Sequence, residues 1–218
     1  MGRRGLVAVA VCCLLAGCGH AVTGTATWPG AKLERAVLTE ADFPPGVRYE
    51  RVVNEPRGDN VERPPAMLSR PEGCADALTR DIAVTAEWGP GSAAEYVAAY
   101  DGARMVITLL TWRLDLERLA DTARRCAEYE TFFEPGDPGI PMTTTALPSP
   151  RRDALVYQQT MRLRGADNSV YFAFENVGQM AVFGIAFPTD DASIAVKGTL
   201  PQIFLEVTGK QAQRAQAV

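Results

Sequence analysis

The chain has 218 residues, 47% of them apolar, and its 26 acidic and 22 basic side chains give a formal net charge of −4. This length and apolar content are enough for one domain with a substantial core. The acidic balance, without a basic cluster, argues against a nucleic-acid partner, because nucleic-acid binding needs many Lys and Arg contacts to phosphate. It also argues against electrostatic docking on anionic lipid headgroups.

The N-terminal segment, residues 1–17, has the organisation of a secretory signal peptide. Two arginines precede an apolar stretch over residues 6–16, and its roughly 11 residues are too few for a bilayer-spanning helix, which needs about 20. The stretch closes with Leu15-Ala16-Gly17-Cys18, which resembles the lipobox of bacterial lipoproteins. The resemblance implies cleavage after Gly17, attachment of a diacylglycerol to Cys18, and anchoring at the extracytoplasmic face of the cell membrane.

The residues alone leave two other interpretations of this segment open. One is an ordinary signal peptide in which Cys18 is incidental. The other is the apolar start of an intracellular chain. Cleavage after Gly17 would remove Arg3 and Arg4 and leave 201 residues with 20 basic and 26 acidic side chains. The mature chain would then carry a formal net charge of −6.

Cleavage would also remove Cys12 and Cys13, so that Cys74 and Cys126 would remain beside the lipidated Cys18. In an oxidising compartment we expect these two thiols to form one disulfide. It would close a loop of about 53 residues, for which the chain-entropy model gives roughly 4 kcal/mol of stabilisation. Two free thiols, a redox pair or a metal-binding pair are the alternatives, although the 51 intervening residues resemble no C-x-x-C motif.

The segment after the signal, residues 18–32, is rich in Gly, Thr and Ala and predicts a flexible tether of about 20 Å root-mean-square length. A single globular domain is predicted over residues 33–208. Near its start, Thr39 and Asp42 have the spacing of a capping box, and Pro44 predicts that this helix stops after about one turn.

The first half of the domain predicts a hairpin between two cysteine-bearing helices. Asp101-Gly102 separates two runs rich in Tyr, Val, Ile and Leu and suits a tight primed turn. Asp115 is a candidate N-cap for the next helix, whose apolar stripe turns Cys126 inward, so we expect the disulfide to join two helices. The predicted elements are a strand over residues 47–53, a surface loop over 54–71, a helix over 74–83, the hairpin over 93–112 and a helix over 115–127.

The second half predicts three strands and a final helix. Five prolines and three consecutive threonines predict an irregular connection over residues 134–150. Thr199-Leu200-Pro201-Gln202 has the T-x-x-Q capping pattern, and Gly209 predicts the end of that helix, so that residues 209–218 are predicted to fray. The strands are predicted over residues 155–164, 170–174 and 180–187, the last two apolar on both faces and therefore central, with turns at 165–168 and 176–178.

Local hairpins with separate helices predict the α+β class. We expect one antiparallel sheet of about five to six strands, with helices packed on one face and a single disulfide. The sequence contains no internal repeat and no sign of a second domain.

The residues offer little catalytic chemistry. His20 is the one histidine and lies in the predicted tether, which excludes ordinary Ser-His-Asp, Cys-His and His-rich zinc sites. Gly89-Pro90-Gly91-Ser92-Ala93-Ala94 matches G-x-G-x-x-A but enters a hairpin rather than a βαβ unit. The carboxylate pairs Asp190-Asp191 and Glu40/Asp42 lack convergent geometry, which favours capping and solvation. We therefore predict no enzyme activity, no metal and no cofactor.

Five aromatic residues in or near the predicted sheet could line a ligand cleft on an exposed face, although such residues more often belong to the core. They are Trp88, Tyr96, Tyr100, Trp112 and Tyr171. Their alternation does not settle which face they share, so the sequence assigns no ligand-binding residue.

The order of these features is similar to that of uncharacterised mycobacterial and related actinobacterial lipoproteins. More distantly, it resembles the PknH-like extracellular sensor domains of membrane Ser/Thr kinases. The resemblance covers residues 33–208 and is carried by Leu-Thr-x-x-Asp-Phe-Pro-x-Gly, the two cysteine helices around the hairpin, the three strands and the capped helix. The sensor domains imply an α+β module with a cleft and two disulfides, whereas Cys74 and Cys126 supply one here.

We therefore expect a ligand-binding or sensor-like module of the cell envelope, held at the membrane by its N-terminal lipid and binding an envelope lipid or glycan. This function predicts a sizeable cleft. The alternative is a non-catalytic interaction or assembly protein that docks a protein partner, which predicts a filled domain with an exposed apolar patch. A third hypothesis, an unrecognised hydrolase, would need convergent carboxylates with perturbed pKa values in a pocket.

Overall fold

The computed structural model describes residues 29–52, 67–80, 82 and 91–218. The predicted signal segment, Cys18, His20 and Trp88 lie outside these residues. The helices are α1 (Pro29–Ala36), α2 (Leu116–Arg125) and α3 (Gln202–Gln216), and the strands are β1 (Arg48–Val52), β2 (Leu68–Arg70), β3 (Ala93–Tyr100), β4 (Ala103–Leu110), β5 (Glu128–Phe132), β6 (Ile140–Leu147), β7 (Ala154–Leu163), β8 (Ala166–Val177) and β9 (Met180–Phe187).

The strands form one sheet in the order β1-β3-β4-β9-β8-β7-β6-β5-β2, with every neighbouring pair antiparallel. The predicted α+β class and antiparallel sheet are confirmed. The predicted five to six strands are wrong, because the described sheet has nine. The additional strands are β2, β5 and β6, and two of them fall in segments predicted as loops.

β6 shows why the loop prediction failed. Its three consecutive threonines are β-branched, which suits a strand, and they pair with residues of β7. Pro141 is the second residue of β6, a position near the strand start where a missing backbone N–H is tolerated. Pro148 and Pro150 follow the end of the strand. The prolines therefore lie near the two ends of a strand, and their number had led to the prediction of a loop.

Helices cover both faces of the sheet, which contradicts their predicted placement on one face. α1 and α3 pack on a core that includes Tyr96, Ile107 and Val182, whereas α2 packs on a core that includes Phe174 and Phe183. Since successive residues of a strand point to opposite faces, the continuous apolar runs of β8 and β9 supply both cores. The central position predicted for these two strands is confirmed.

β3 and β4 form the predicted hairpin around Asp101-Gly102. Gly102 has a φ of 107°, but Asp101 has no positive φ, so the turn is of neither primed type and that prediction is wrong. A Cβ on Gly102 would lie 2.4 Å from the carbonyl oxygen of Gly198. Asp101 also exchanges backbone hydrogen bonds with Val196 and Gly198, so the segment after β9 closes tightly over this turn.

The predicted disulfide is confirmed. Cys74 and Cys126 are joined with an S–S distance of 2.06 Å and a Cα–Cα distance of 5.5 Å. Cys126 follows α2, whose predicted N-cap Asp115 accepts a hydrogen bond from the backbone N–H of Arg118 (2.9 Å). Cys74 directly precedes consecutive turns over residues 75–79, and its backbone N–H donates to Ser69 Oγ (2.7 Å); of the described part of the predicted helix 74–83, only Arg80 and Ile82 are helical. The disulfide therefore ties a turn, not a second helix, to the end of α2.

α3 continues to Gln216, so the predicted helix end at Gly209 and the predicted fraying of residues 209–218 are wrong. Gln211 is fully buried, and its side chain accepts a hydrogen bond from Leu38 N (3.1 Å) and donates one to Ala36 O (2.7 Å). These long-range contacts outweigh the low helix propensity of Gly209. They also hold the end of α1 against the last turns of α3.

The start of the fold also differs from its prediction. Residues 29–32, predicted as the end of the tether, belong to α1. The capping box is confirmed: Thr39 N donates to Asp42 Oδ2 (2.8 Å), and the short 3-10 helix Glu40–Asp42 ends before Pro44. No helix in the described ranges is long and apolar enough to cross a membrane.

Candidate functional site

An open depression of about 330 Å³ lies at the end of the sheet where β7 begins and β8 and α3 end. This volume is at the lower end of the range for small-molecule sites, roughly 300–1,000 Å³. We call it the Arg151 depression. It is lined by Arg151, Arg152, Asp153, Glu175, Asn176, Val177, Gly178 and Gln216.

An ion pair between Arg151 Nε and Glu175 Oε1 forms part of its wall. Glu175 lies in β8, between Ala154 of β7 and Val182 of β9, and is only 7% exposed. Burial raises the pKa of Glu175, and the opposing effect of the Arg151 guanidinium does not cancel it. The Arg151 side chain keeps 32% of its surface exposed. The pair thus joins a buried carboxylate to a guanidinium that reaches solvent.

Hydrogen bonds fix the backbone on both sides of the ion pair. On one side, Ser149 Oγ donates to Arg151 O (3.0 Å) and accepts from Arg151 N (3.2 Å). On the other, the Asn176 amide accepts from Leu114 N (2.8 Å) and donates to Leu114 O (2.9 Å). Asn176 N also donates to Asp153 O (3.1 Å). The walls of the depression are therefore preorganised.

A narrow cavity of about 20 Å³ adjoins the depression beside α3, which is room for about one water molecule. It shares Arg151 and Glu175 with the depression, and Val156, Ala173, Val182 and Leu205 contribute apolar walls. Gly209 also lines it, and a Cβ there would meet no atom within 4 Å. An apolar crevice therefore runs from the ion pair along the flank of α3.

The chemistry of the depression suits recognition through charge-assisted hydrogen bonds, because two arginines and two acidic residues line it. Among the described residues, no group of three or more His, Cys, Asp or Glu side chains could hold a metal ion. The arrangement therefore offers charged anchors for a polar ligand beside a small apolar crevice.

The aromatic residues considered for a cleft do not line this depression. Tyr96, Tyr100 and Tyr171 are buried in the core beneath α1 and α3, and Trp112 packs against the core on the opposite face. Tyr96 stacks on Tyr49 with ring centroids 5.5 Å apart. These described aromatics therefore contribute to packing.

Two of the four acidic residues considered for catalysis have structural partners. Asp42 belongs to the capping box and pairs with Arg214. Asp191 accepts a hydrogen bond from Ser193 N (3.1 Å) and pairs with Arg48 (3.2 Å). Neither carboxylate lines the Arg151 depression.

Neither member of the ion pair in the depression was predicted as a site residue from the sequence. The usable signal was Glu175, a carboxylate inside the apolar run Val-Tyr-Phe-Ala-Phe-Glu-Asn-Val at the end of β8. A charged residue in such a run is rarely buried without a partner. Arg151 lies in a proline-rich connection and carries no comparable signal, so the partner could not be identified before the sheet was known.

No family model matches the chain. No curated protein matches it either. Among solved structures, the chain is similar to an X-ray structure of an uncharacterised protein from Mycobacterium smegmatis, the Rv0999 ortholog. The two share 14% sequence identity with a TM-score of 0.48, over 86% of this chain and 96% of the other. A likeness at this level carries no inference about function.

Proposed function

We propose that this protein is a membrane-anchored, extracytoplasmic lipoprotein that serves as a non-catalytic ligand-binding or sensor-like module of the cell envelope. The Arg151 depression is its ligand site. The observation that carries the proposal is a buried carboxylate paired with a solvent-reaching guanidinium in the wall of an open cavity. Burying charge costs desolvation energy, and perturbed charged groups in clefts concentrate at functional sites. The ligand is a small molecule of the envelope, a lipid or glycan component.

The proposed location rests on two independent features. The lipobox-like Leu15-Ala16-Gly17-Cys18 implies a lipid anchor, and the disulfide between Cys74 and Cys126 is typical of proteins that fold in oxidising compartments. The proposed location agrees with the sequence resemblance to actinobacterial lipoproteins and with the more distant resemblance to PknH-like sensor domains.

Native mass spectrometry of the full-length protein, exported and released from membranes in detergent, tests the ligand site. After exposure to envelope lipid and glycan extracts, we expect a stoichiometric adduct that the double variant Arg151→Ala/Glu175→Ala loses. The matched control, Arg162→Ala/Asp167→Ala, removes an exposed ion pair elsewhere on β7 and β8 and should keep the adduct. Circular dichroism verifies that each variant is folded. A mass unchanged by every extract would refute the proposal.

An envelope assembly factor is the second candidate, favoured by exposed apolar side chains at one edge of the sheet. Leu68 is 42% exposed and Phe133 is 61% exposed. Leu68 pairs with Phe132, directly before Phe133, and β2 is the last strand of the described sheet. Exposed apolar side chains on an edge strand are typical of surfaces that bind other chains.

Affinity purification from crosslinked envelope fractions distinguishes this second candidate. If it is correct, one partner protein co-purifies with the wild type and is lost from Leu68→Ser/Phe133→Ser. The control Leu163→Ser changes another exposed apolar residue, 41% exposed on β7, and should keep the partner. Identical recoveries from all three proteins would leave no support for an assembly role.

A further inference from the structure

We propose that the ligand of the Arg151 depression carries a singly charged oxyanion, a carboxylate or a phosphodiester, and that the two terminal Nη atoms of Arg151 bind it. This inference rests on the proposed function, which assigns a ligand to the depression, and adds the chemical class of that ligand.

Arg151 is held at one edge of its guanidinium. Within the described part of the chain, its one side-chain partner is Glu175, and the contact runs through Nε. A guanidinium presents five N–H donors in a planar fork. With Nε engaged, the Nη edge remains for a ligand, and its two parallel donors match the two oxygens of a carboxylate or phosphate.

Glu175 makes Arg151 a preorganised anchor. The carboxylate sits on a central strand and its side chain is 9% exposed, so it cannot move as a surface side chain does. The loop backbone of Arg151 is fixed by Ser149. Because the guanidinium is already oriented, binding does not have to order a free arginine side chain.

The charges lining the depression favour one negative charge on the ligand. Arg151 and Arg152 are balanced by Asp153 and Glu175, so the formal sum of the lining charges is zero. A dianion, such as a phosphate monoester, would add two negative charges beside these carboxylates. A carboxylate or a phosphodiester adds one and still satisfies the arginine fork. The open side of the depression leaves room for the rest of such a molecule.

Titration of the full-length, detergent-solubilised protein tests this assignment. The soluble probes are glycerophosphoglycerol, a phosphodiester, glucuronate, a carboxylate, and inorganic phosphate; phosphatidylglycerol in mixed micelles tests a lipid source. At about pH 8.5, where inorganic phosphate is almost entirely a dianion, we expect at least one monoanion to bind at least about tenfold more tightly than inorganic phosphate. Binding of phosphatidylglycerol alone identifies a lipid headgroup, and binding of a soluble probe identifies a free ligand. Absence of binding by every monoanion would overturn the assignment.

Two substitutions of Arg151 distinguish binding through the two parallel donors of its guanidinium from binding through its positive charge alone. Arg151→Gln should weaken monoanion binding at least about tenfold, and Arg151→Lys should weaken it similarly, because an ammonium keeps the charge but loses the two parallel donors. Arg162→Gln, an exposed ion-paired arginine of β7 outside the depression, should bind like the wild type. Equal affinity of wild type and Arg151→Gln would overturn the assignment.

Glu175→Gln has opposite outcomes under the two explanations of its role. If Glu175 were only a negative charge near the ligand, its neutralisation would strengthen anion binding. As a positioning residue that holds Arg151 through Nε, its loss should weaken binding several-fold, and Asp167→Asn, which removes an exposed carboxylate outside the depression, should not. Stronger binding by Glu175→Gln would contradict the positioning role and the preorganised fork.

The two proposals fail in distinguishable ways. An adduct from envelope extracts that persists in Arg151→Gln, with no monoanion binding to the wild type, refutes the oxyanion and leaves the ligand-binding function standing. Absence of both the adduct and monoanion binding refutes both.

Discussion

Gln211 is a single side chain on which the junction of the first and last helices depends. Its amide satisfies Leu38 N–H and Ala36 O, and it has no exposed surface. Gln211→Ala would leave two buried backbone groups unpaired, which costs about 1–3 kcal/mol for each group. We expect urea unfolding to show a loss of about 3 kcal/mol. Gln213→Ala, at an exposed position of the same helix, should change stability by less than about 0.5 kcal/mol; similar losses from both would refute this role.

Two glycines should respond to alanine in opposite directions. At Gly209 a Cβ would have open space around it, and the position is inside α3, so Gly209→Ala should stabilise the protein by about 0.5–1 kcal/mol. At Gly184 a Cβ would lie 2.8 Å from Phe204 Cε2, and overpacking of this kind costs roughly 1–3 kcal/mol. Thermal unfolding of both variants measures the signs, and a lower melting temperature for Gly209→Ala would contradict the placement of α3.

Asp42 should make stability depend on acid. Burial acts to raise the pKa of Asp42, but hydrogen bonds from Thr39 and the charge of Arg214 outweigh it and lower the pKa below its ordinary value of 3.8. A carboxyl whose pKa is lowered by folding stabilises the protein above its unfolded pKa and loses that effect as pH falls through its folded pKa. Asp42→Asn should therefore cost up to about 1 kcal/mol at pH 7, a difference that shrinks below pH 3.8.

Denaturant unfolding from pH 7 to pH 2 measures this dependence. Asp121→Asn is the control, since Asp121 forms an exposed ion pair with Arg124 and should show a smaller difference at pH 7. A constant gap between wild type and Asp42→Asn across the whole range would rule out the carboxyl charge as its cause.

At the scale of residues, local sequence rules predicted two helix caps correctly but failed at the Asp101-Gly102 turn and at the cap proposed for α3. The capping role of Asp115 and the box of Thr39 and Asp42 follow from spacing, and the structure confirms them. Gln211 and Glu175 could not be assigned in this way, because their partners come from distant segments. A buried polar side chain is explained only when the group that satisfies it is known.

The disulfide is the covalent link between the elements on one face of the sheet. It joins residues 52 positions apart, and the chain-entropy model gives roughly 4 kcal/mol for closing such a loop. Cys74→Ser/Cys126→Ser should lose about that much, measured by guanidinium unfolding. Reduction of the wild-type protein should give the same loss. A change below about 1 kcal/mol in both experiments would show that the surrounding turns hold this segment without the bond.

At the scale of elements, regular apolar periodicity predicted helices and strands well, whereas amino-acid composition did not. α2, the β3–β4 hairpin and the last three strands were predicted because their apolar patterns are regular. β2 and β5 were missed because three to five residues with charged and hydroxyl side chains carry little pattern. These short strands exist because they extend a sheet already formed by their neighbours, an effect that no single segment encodes.

The proposed membrane anchoring concerns the whole molecule and would depend on Cys18. Cys18→Ser removes the sulfur that the lipobox resemblance assigns to the lipid, so the variant should move from the membrane fraction to the soluble fraction. Two or three acyl chains on one cysteine anchor stably, whereas none leaves no anchor. Cys12→Ser, within the same N-terminal segment, should remain with membranes. Retention of Cys18→Ser in the membrane fraction would disprove lipid anchoring through this residue.

The candidate site also emerges only at the scale of the whole molecule. The Arg151 depression combines a loop before β7, the end of β8 and the end of α3, and none of these segments is distinctive alone. Its formation depends on α3 reaching Gln216, which local rules about Gly209 had argued against. The site, like the length of α3, therefore could not be predicted from the sequence, because both depend on contacts between distant segments.

The junction of α1 and α3 has a consequence for the order of events during synthesis. Leu38 receives its partner Gln211 only after another 173 residues have been added, which at about 5–20 residues per second takes roughly 9–35 s. Until then the apolar face of α1 has no covering helix. A chaperone or a processing enzyme that acts early on the N-terminus therefore acts before α1 has packed against α3. Among the described residues, the first helix therefore gains its contacts with α3 only at the end of synthesis.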